Sequence, residues 1–316
     1  MISCFMSAYN PTISDNFVFM SIPERSFLFR HKLISALRDW DVKGIRRLSI
    51  TLPKILLPDP KSVGKHVLIT IHGIKMMIDP ALDQGVELSL FETGTYEKGT
   101  IQFLEEFLKP GSSFLDIGAN IGLMSVIASK AVGEKGIVYA VEANPGTVPI
   151  LQTNIELNNC KNIELLPVAL SDVQGMALLF ENWEVNRGGA SLISQGDNQE
   201  GVEVKMERLD DLFNEITPID LVKIDVEGFE PQVIRGGMTW FKKQLPVFII
   251  EVSEKREKEI GPSPKEIMEL VQGIGRYTFY RHKGTKERRG KLIEIKNVDE
   301  LPGHDNIICV PLKEIK

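Results

Sequence analysis

Residues 114–122 read FLDIGANIG. The apolar pair Phe114–Leu115 meets an acid, Asp116, and two glycines four apart, Gly118 and Gly122, follow. Residues 121–131 then suit a helix. A strand that ends on an acid and a glycine and runs into a helix opens a strand–loop–helix unit. The fold depends on whether that unit repeats. It does: GIVYAVEA (136–143), IELLPVAL (163–170), DLVKIDVEG (220–228) and VFIIEV (247–252) read as further core strands. Asn144 and Pro145 predict the N-cap and first residue of a helix running to about Asn158. Ser263-Pro264-Lys265-Glu266 is a capping box that starts another. MALLFEN (176–182) and VEVKMERL (202–209) read as extra strands around a polar loop. YTFYR (277–281), KLIEIK (291–296) and NIICVP (306–311) lie close together in sequence, which predicts an antiparallel edge. The expected class is α/β: a Rossmann-like, doubly wound, mostly parallel sheet with an antiparallel edge strand.

Upstream, HVLITIHGIKMMIDP (66–80) predicts a hairpin turning at His72-Gly73, and Ile101, Leu104, Phe107 and Leu108 mark a helix ended by Pro110-Gly111. Residues 1–87 are expected to form an N-terminal helical and hairpin extension, and 88–316 the main domain. The net charge is −6, yet residues 25–54 hold eight Lys/Arg against Asp39 and Asp41. Phe29, Leu33, Leu37 and Trp40 fall at near-helical spacing there. A basic amphipathic helix suits a membrane surface, but most such stripes face protein, so packing on the core is the favoured expectation over peripheral membrane contact. No run of about 18 apolar residues exists, and the N-terminus is a poor secretory signal, with Met20 an alternative start. Cys4, Cys160 and Cys309 are few and far apart, without metal spacing. Reduced thiols in a cytoplasmic setting follow.

In a parallel sheet, ligands sit beyond the carboxyl ends of the strands. Gly118 lies at such an end, where a missing Cβ lets the backbone turn and a ligand approach. A dinucleotide G-x-G-x-x-G fails because Asn120 and Leu123 stand at its third and sixth positions, and no Gly-Lys-Ser/Thr follows for a P-loop. Glu142 ends the next strand, where a carboxylate can accept two hydrogen bonds from a ribose diol. A glycine turn plus a ribose acid, without a diphosphate signature, points to S-adenosylmethionine. Its carboxylate suits the backbone N–H groups near a helix N-terminus. Lys223, Asp225 and Glu227 recur at every second position of a strand expected to be apolar, so they share one face. Charge there is costly unless paired or used. Asp225 and Glu227 are taken as functional; for Lys223 a bracing pair with Asp225 stands as an equal alternative.

FLDIGANIG, VEANP (141–145), VALSD (168–172) and LVKIDVEGFE (221–230), in that order and spacing, resemble the FkbM-type methyltransferases. TGTYEKGTIQFLEEFLKPG (93–111) and NRGGASL (186–192) also resemble segments of that family, and the resemblance spans about residues 88–312. It implies a class I S-adenosylmethionine-dependent enzyme, usually an O-methyltransferase of sugar or natural-product hydroxyls. By the same resemblance, Asp116, Gly118, Ala119, Asn120 and Gly122 would form the cofactor loop, and Glu142 would hold the ribose. Ala169, Leu170, Ser171 and Asp172 would border the adenine, and Glu97 would close over the methionine end. Asp225 and Glu227 would face the transferred methyl group. Phe229 departs from the small residue expected there.

An alcohol nucleophile must lose its proton as the new bond forms. Asp225 or Glu227 is expected to accept it, directly or through a divalent ion, with Glu251 a third candidate at the end of the fifth core strand. Three carboxylates on one edge suit Mg²⁺ or sugar hydroxyls equally. Trp183, Asn186 and Arg187 belong to a loop that suits a substrate wall or a plain surface turn. HKGTKERRGK (282–291) reads as a basic hairpin tip, solvated rather than functional. His31, His66, His72, His282 and His304 are scattered; His304 alone is placed to approach the site, and a structural role is expected for each. The resemblance implies a small-molecule or glycan hydroxyl substrate, and a globally acidic chain predicts no nucleic-acid partner. The alternatives are a nicotinamide-dependent oxidoreductase, disfavoured by the missing glycine fingerprint, and a non-catalytic nucleoside-binding scaffold, disfavoured by the intact loop and acids. Nothing in the sequence speaks to the oligomeric state.

Overall fold

The computed structural model describes residues 24–39, 51–53, 55–180, 191–192, 201–213, 218–253 and 263–312. Helix α1 (Glu24–Asp39) precedes an antiparallel hairpin, β1 (His66–Ile69) and β2 (Lys75–Ile78). Helix α2 (Lys98–Phe107) leads into β3 (Ser113–Ile117), α3 (Leu123–Val132), β4 (Ile137–Val141), α4 (Val148–Leu157) and β5 (Ile163–Leu166). Three strands, β6 (Ala169–Leu170), β7 (Gly175–Phe180) and β8 (Gly201–Glu207), form a small separate sheet. The chain returns through β9 (Leu221–Ile224), α5 (Glu230–Gly236), β10 (Val247–Ser253), β11 (Tyr277–His282), β12 (Leu292–Ile295) and β13 (His304–Pro311).

The main sheet has eight strands in the order β12-β11-β13-β10-β9-β3-β4-β5. The five from β10 to β5 are parallel, and β13, β11 and β12 add an antiparallel edge. Both faces are covered, and the pleat shows why. Leu115, Ile117, Val222, Ile224, Phe248 and Ile250 pack into one apolar cluster, while Phe114, Leu221, Val247 and Ile249 point into another. Alternate residues of one strand thus feed opposite faces, and the strands read as continuous apolar runs. From β3 the chain winds outward to β5 and then comes back to place β9 beside β3. That reversal opens a crevice at the carboxyl ends of β3 and β9.

Several local expectations are corrected. Asn144 does not cap a helix: its Oδ1 accepts from the Gly146 N–H at 2.8 Å in a turn, and α4 starts at Val148. Strand β9 ends at Ile224, so Asp225 and Glu227 lie in the loop beyond it and do not alternate along the strand. Helix α1 packs on the core, but with Phe27, His31, Ile34 and Ser35 inward; Phe29 is 69% and Leu33 43% exposed. The apolar stripe read from the sequence is therefore on the outer side, and Trp40 lies outside the described residues. No described helix is long and apolar enough to cross a membrane. The hairpin β1–β2 shares its core with the sheet: Leu68, Met76 and Ile78 cluster with Leu104 and Phe114.

Candidate functional site

The loop after β3 is held to its neighbours by backbone bonds. Gly118 and Ala119 donate N–H bonds to the Val141 carbonyl at 3.0 and 2.9 Å, and the Asp225 N–H donates to the Ile117 carbonyl at 3.0 Å. Gly118 has φ +81°, and a Cβ built there would lie 1.9 Å from the Asp225 carbonyl oxygen. The glycine is needed because two loops cross at the strand-order reversal, a different reason from the ligand approach inferred from sequence.

These loops line a cleft of about 1130 Å³, part of it open to solvent. Of the residues expected at the site, the structure brings Asp116, Gly118, Ala119, Asn120, Glu142, Ala169, Leu170, Asp225, Glu227 and Glu251 to its wall. Gly122 caps α3 and stands back from the wall, as do Ser171 and Asp172. Glu97 is fully buried and does not line the cleft; its neighbour Tyr96 does. Trp183, Asn186 and Arg187 lie outside the described residues.

Glu142 lines the cleft at the carboxyl end of β4. Its Oε2 accepts from the Asn120 N–H and its Oε1 from the Asn144 N–H, both at 2.8 Å. Burial raises its pKa, and these two bonds oppose that shift. Each oxygen keeps a further lone pair for a ligand hydroxyl. Asn120 has φ +50°, a conformation asparagine tolerates better than most residues, which turns its N–H toward Glu142.

The opposite wall is charged. Asp116 is register partner of Lys223, so both project from the same sheet face as Glu251, one strand further on. Lys223 is 4% exposed, and its Nζ lies 2.6 Å from Asp225 Oδ2. Burial works against the Lys223 ammonium, but Asp225, Glu97 and Asp116 outweigh it and hold its pKa up. Burial likewise opposes ionisation of Asp225, but Lys223 and Lys286 prevail and hold its pKa well below the usual carboxylate range. Burial and then the Asp225 charge push Glu251 up, and the two carboxyl groups share a hydrogen bond. The bracing pair thus exists, and it lines the cleft.

Sequence reasoning missed Tyr96, Met124, Thr147 and above all Lys286. The segment 282–291 is not merely a solvated tip: Lys286 is 5% exposed and its Nζ lies 2.6 Å from both Glu97 and Glu251. A run of five basic residues concealed the one that turns inward. His304 Nε2 lies 3.8 Å from Glu251 Oε1 at the exposed rim.

A doubly wound, mostly parallel sheet with a cleft at its strand-order reversal is the architecture of nucleotide- and nucleoside-binding α/β proteins, class I methyltransferases among them. Residues 116–283 match the Methyltransferase FkbM domain, and the chain belongs to that family. Among curated relatives, the Ribosomal protein L11 methyltransferase of Thermoanaerobacter pseudethanolicus is 33% identical over 128 residues, covering 37% of this chain and 39% of that protein. The chain therefore spans about two fifths of that relative's length. Among solved structures, Methyltransferase FkbM from Methylobacillus flagellatus KT aligns with TM-score 0.44 and 13% identity, over 89% of this chain and 58% of that one. An rRNA methylase from Streptococcus thermophilus aligns with TM-score 0.39 and 13% identity, over 68% and 95%. The expectation of no nucleic-acid partner is corrected, since a curated relative 33% identical over the matched segment is named for a ribosomal protein. Net acidity of a whole chain averages over faces and excludes neither acceptor class.

S-adenosylmethionine is the cofactor that membership of this methyltransferase family implies. The residues here fit it. Asp116 Oδ1, Asn120 Oδ1 and Thr147 Oγ1 are buried without a hydrogen-bond partner, and all three residues line the cleft. Unmet polar atoms cost about 1–3 kcal/mol each, which a polar ligand would relieve. Glu142 would hold the ribose, Ala169 and Leu170 the base, and Asp116 with Asn120 the amino-acid end.

Proposed function

We propose that this chain is an S-adenosylmethionine-dependent methyltransferase acting on a hydroxyl of a sugar or natural product. The observation that carries the reading is a single cleft with Glu142, fixed by two backbone N–H groups, on one wall and the ionised Asp225 on the other. Bound there, S-adenosylmethionine supplies an electrophilic sulfonium methyl group. The protein's part is to orient the acceptor, exclude water and take a proton. Asp225 is the candidate base because it lines the cleft in its ionised form, although the Lys223 pair that keeps it ionised also makes it a weak proton acceptor. Glu251, held toward its neutral form, relays hydrogen bonding to Asp225, and Glu227 offers a further acceptor for substrate hydroxyls.

A second reading is favoured by the relatives' names: an acceptor on a protein or nucleic acid. One experiment serves both. Wild type and Asp225→Asn are incubated with radiolabelled donor and a panel of sugars, glycolipids, ribosomal protein and rRNA. The hydroxyl reading expects label in a sugar-type acceptor and turnover reduced about 10²–10⁴-fold by the substitution, with S-adenosylhomocysteine binding retained. Label only in protein or RNA would replace it with the second reading. Unchanged turnover would remove Asp225 from the chemistry.

A further inference from the structure

Carboxylate oxygens of Glu97, Asp225 and Glu251 lie within 4.8 Å of one another, close enough for one cation to touch all three. Such a cluster in a buried setting requires a counter-charge. Asp225 already has Lys223 at 2.6 Å. The other two acids are served from a distant part of the chain. Lys286 places its ammonium 2.6 Å from Glu97 Oε1 and 2.6 Å from Glu251 Oε1.

The segment carrying this lysine is anchored along its length. The Lys286 N–H donates to Asp305 Oδ1 at 2.9 Å, and its carbonyl accepts from the Gly99 N–H at 2.7 Å. The Glu97 N–H donates to Glu287 Oε2 at 3.3 Å, and the Gly290 N–H to Gln102 Oε1 at 3.1 Å. The approach to α2 is so close that a Cβ on Gly99 would lie 2.7 Å from the Arg288 carbonyl oxygen and 2.9 Å from that of Lys286. On the far side, Asn306, register partner of Glu251, donates to Glu97 Oε2 at 3.1 Å. Lys286 itself does not reach the cleft wall, whereas Tyr96, Asp225 and Glu251 form part of it.

We propose that Lys286 is a positioning residue acting as an internal counter-ion: its ammonium takes the place a divalent cation would occupy among Glu97, Asp225 and Glu251. It thereby ties the start of α2 and the end of β10 into one wall of the cleft. The functional meaning of that wall rests on the methyl-transfer reading; the cation exchange does not.

The test is Mn²⁺ uptake by the full chain, followed as loss of the free-ion electron paramagnetic resonance signal. Calorimetric titration with S-adenosylhomocysteine runs in parallel. Wild type and Lys286→Arg should leave Mn²⁺ free. Lys286→Met should take up stoichiometric Mn²⁺, and adding Glu251→Gln should abolish that uptake. Stoichiometric uptake by the wild type that Glu251→Gln removes, or none by a folded Lys286→Met, overturns the proposal. If Lys286→Met does not fold, the double variant Glu97→Gln/Lys286→Met decides: a counter-ion role predicts recovery of folding, and no recovery overturns it. Failure of the wild type to bind S-adenosylhomocysteine would sink the methyltransferase reading instead, leaving the Mn²⁺ result to judge Lys286.

Discussion

Gly118 and Asp225 touch through backbone alone: a Cβ on the glycine would lie 1.9 Å from the aspartate's carbonyl oxygen. The contact places the loop after β3 and the loop after β9 in fixed relation, and φ +81° at Gly118 adds a conformational demand. Gly118→Ala should therefore destabilise the protein by about 3 kcal/mol, combining the left-handed penalty with overpacking. The denaturant midpoint checks this. An unchanged midpoint would mean that the two loops are not in contact.

Lys223 is the nearest cation to Asp225, and Asp116 and Glu97 also act on it. Lys223→Met should cost about 3–5 kcal/mol, because it leaves buried carboxylates without compensation. Adding Asp225→Leu should recover much of that loss. A double-mutant cycle of thermal melts with no coupling between the two would contradict the pairing.

Asn154 joins three parts of the chain. Its Oδ1 accepts from the Met77 N–H at 2.6 Å, and its Nδ2 donates to the Ile121 carbonyl at 2.8 Å. Asn154→Ala would strand two buried backbone groups at a cost of about 2–4 kcal/mol in all. Ile121 lines the cleft proposed to hold the cofactor, so weaker S-adenosylhomocysteine binding should accompany the loss. Calorimetry and a denaturation curve on the same sample check both effects.

His31 is fully buried in α1, with Nε2 2.7 Å from the Phe91 carbonyl, and burial lowers its pKa to about 4 against an ordinary 6.5. The folded state keeps it neutral while the unfolded chain takes a proton below 6.5. Its contribution is complete above pH 6.5 and is lost as pH falls toward 4, by about 3 kcal/mol at most. His31→Gln, which keeps a donor for Phe91, should flatten that acid limb. His72, also lowered to about 4, has the same sign, so the limb should shrink rather than vanish. Stability measured between pH 4 and pH 7.5 would show it; identical pH profiles for variant and wild type would contradict the assignment.

The sheet was legible in the sequence because its strands are apolar on both faces and separated by helix-length intervals. Glu142 and the glycine loop were legible for a related reason: each closes a strand at its carboxyl end. What escaped the reading depends on contacts distant in sequence. Lys286 sits in a charged run indistinguishable from a solvated one, and contacts distant in sequence, with Gly99, Gln102 and Asp305, hold its segment against the core. The stripe Phe29, Leu33 and Leu37 has proper helical spacing, yet α1 turns the face with Phe27, His31, Ile34 and Ser35 to the core, where His31 bonds the Phe91 carbonyl. Asn144 looked like a cap because Asn-Pro starts turns as well as helices.

The central claim is that the cleft between Glu142 and Asp225 holds a methyl donor. Calorimetric titration of wild type and Glu142→Ala with S-adenosylmethionine, S-adenosylhomocysteine and NAD tests it most directly. The predicted result is that both sulfur nucleosides bind the wild type, that NAD does not, and that the substitution weakens binding by about 1.5–3 kcal/mol, the worth of hydrogen bonds to a charged group. Absence of binding by either sulfur nucleoside, or equal binding by Glu142→Ala, would contradict the account.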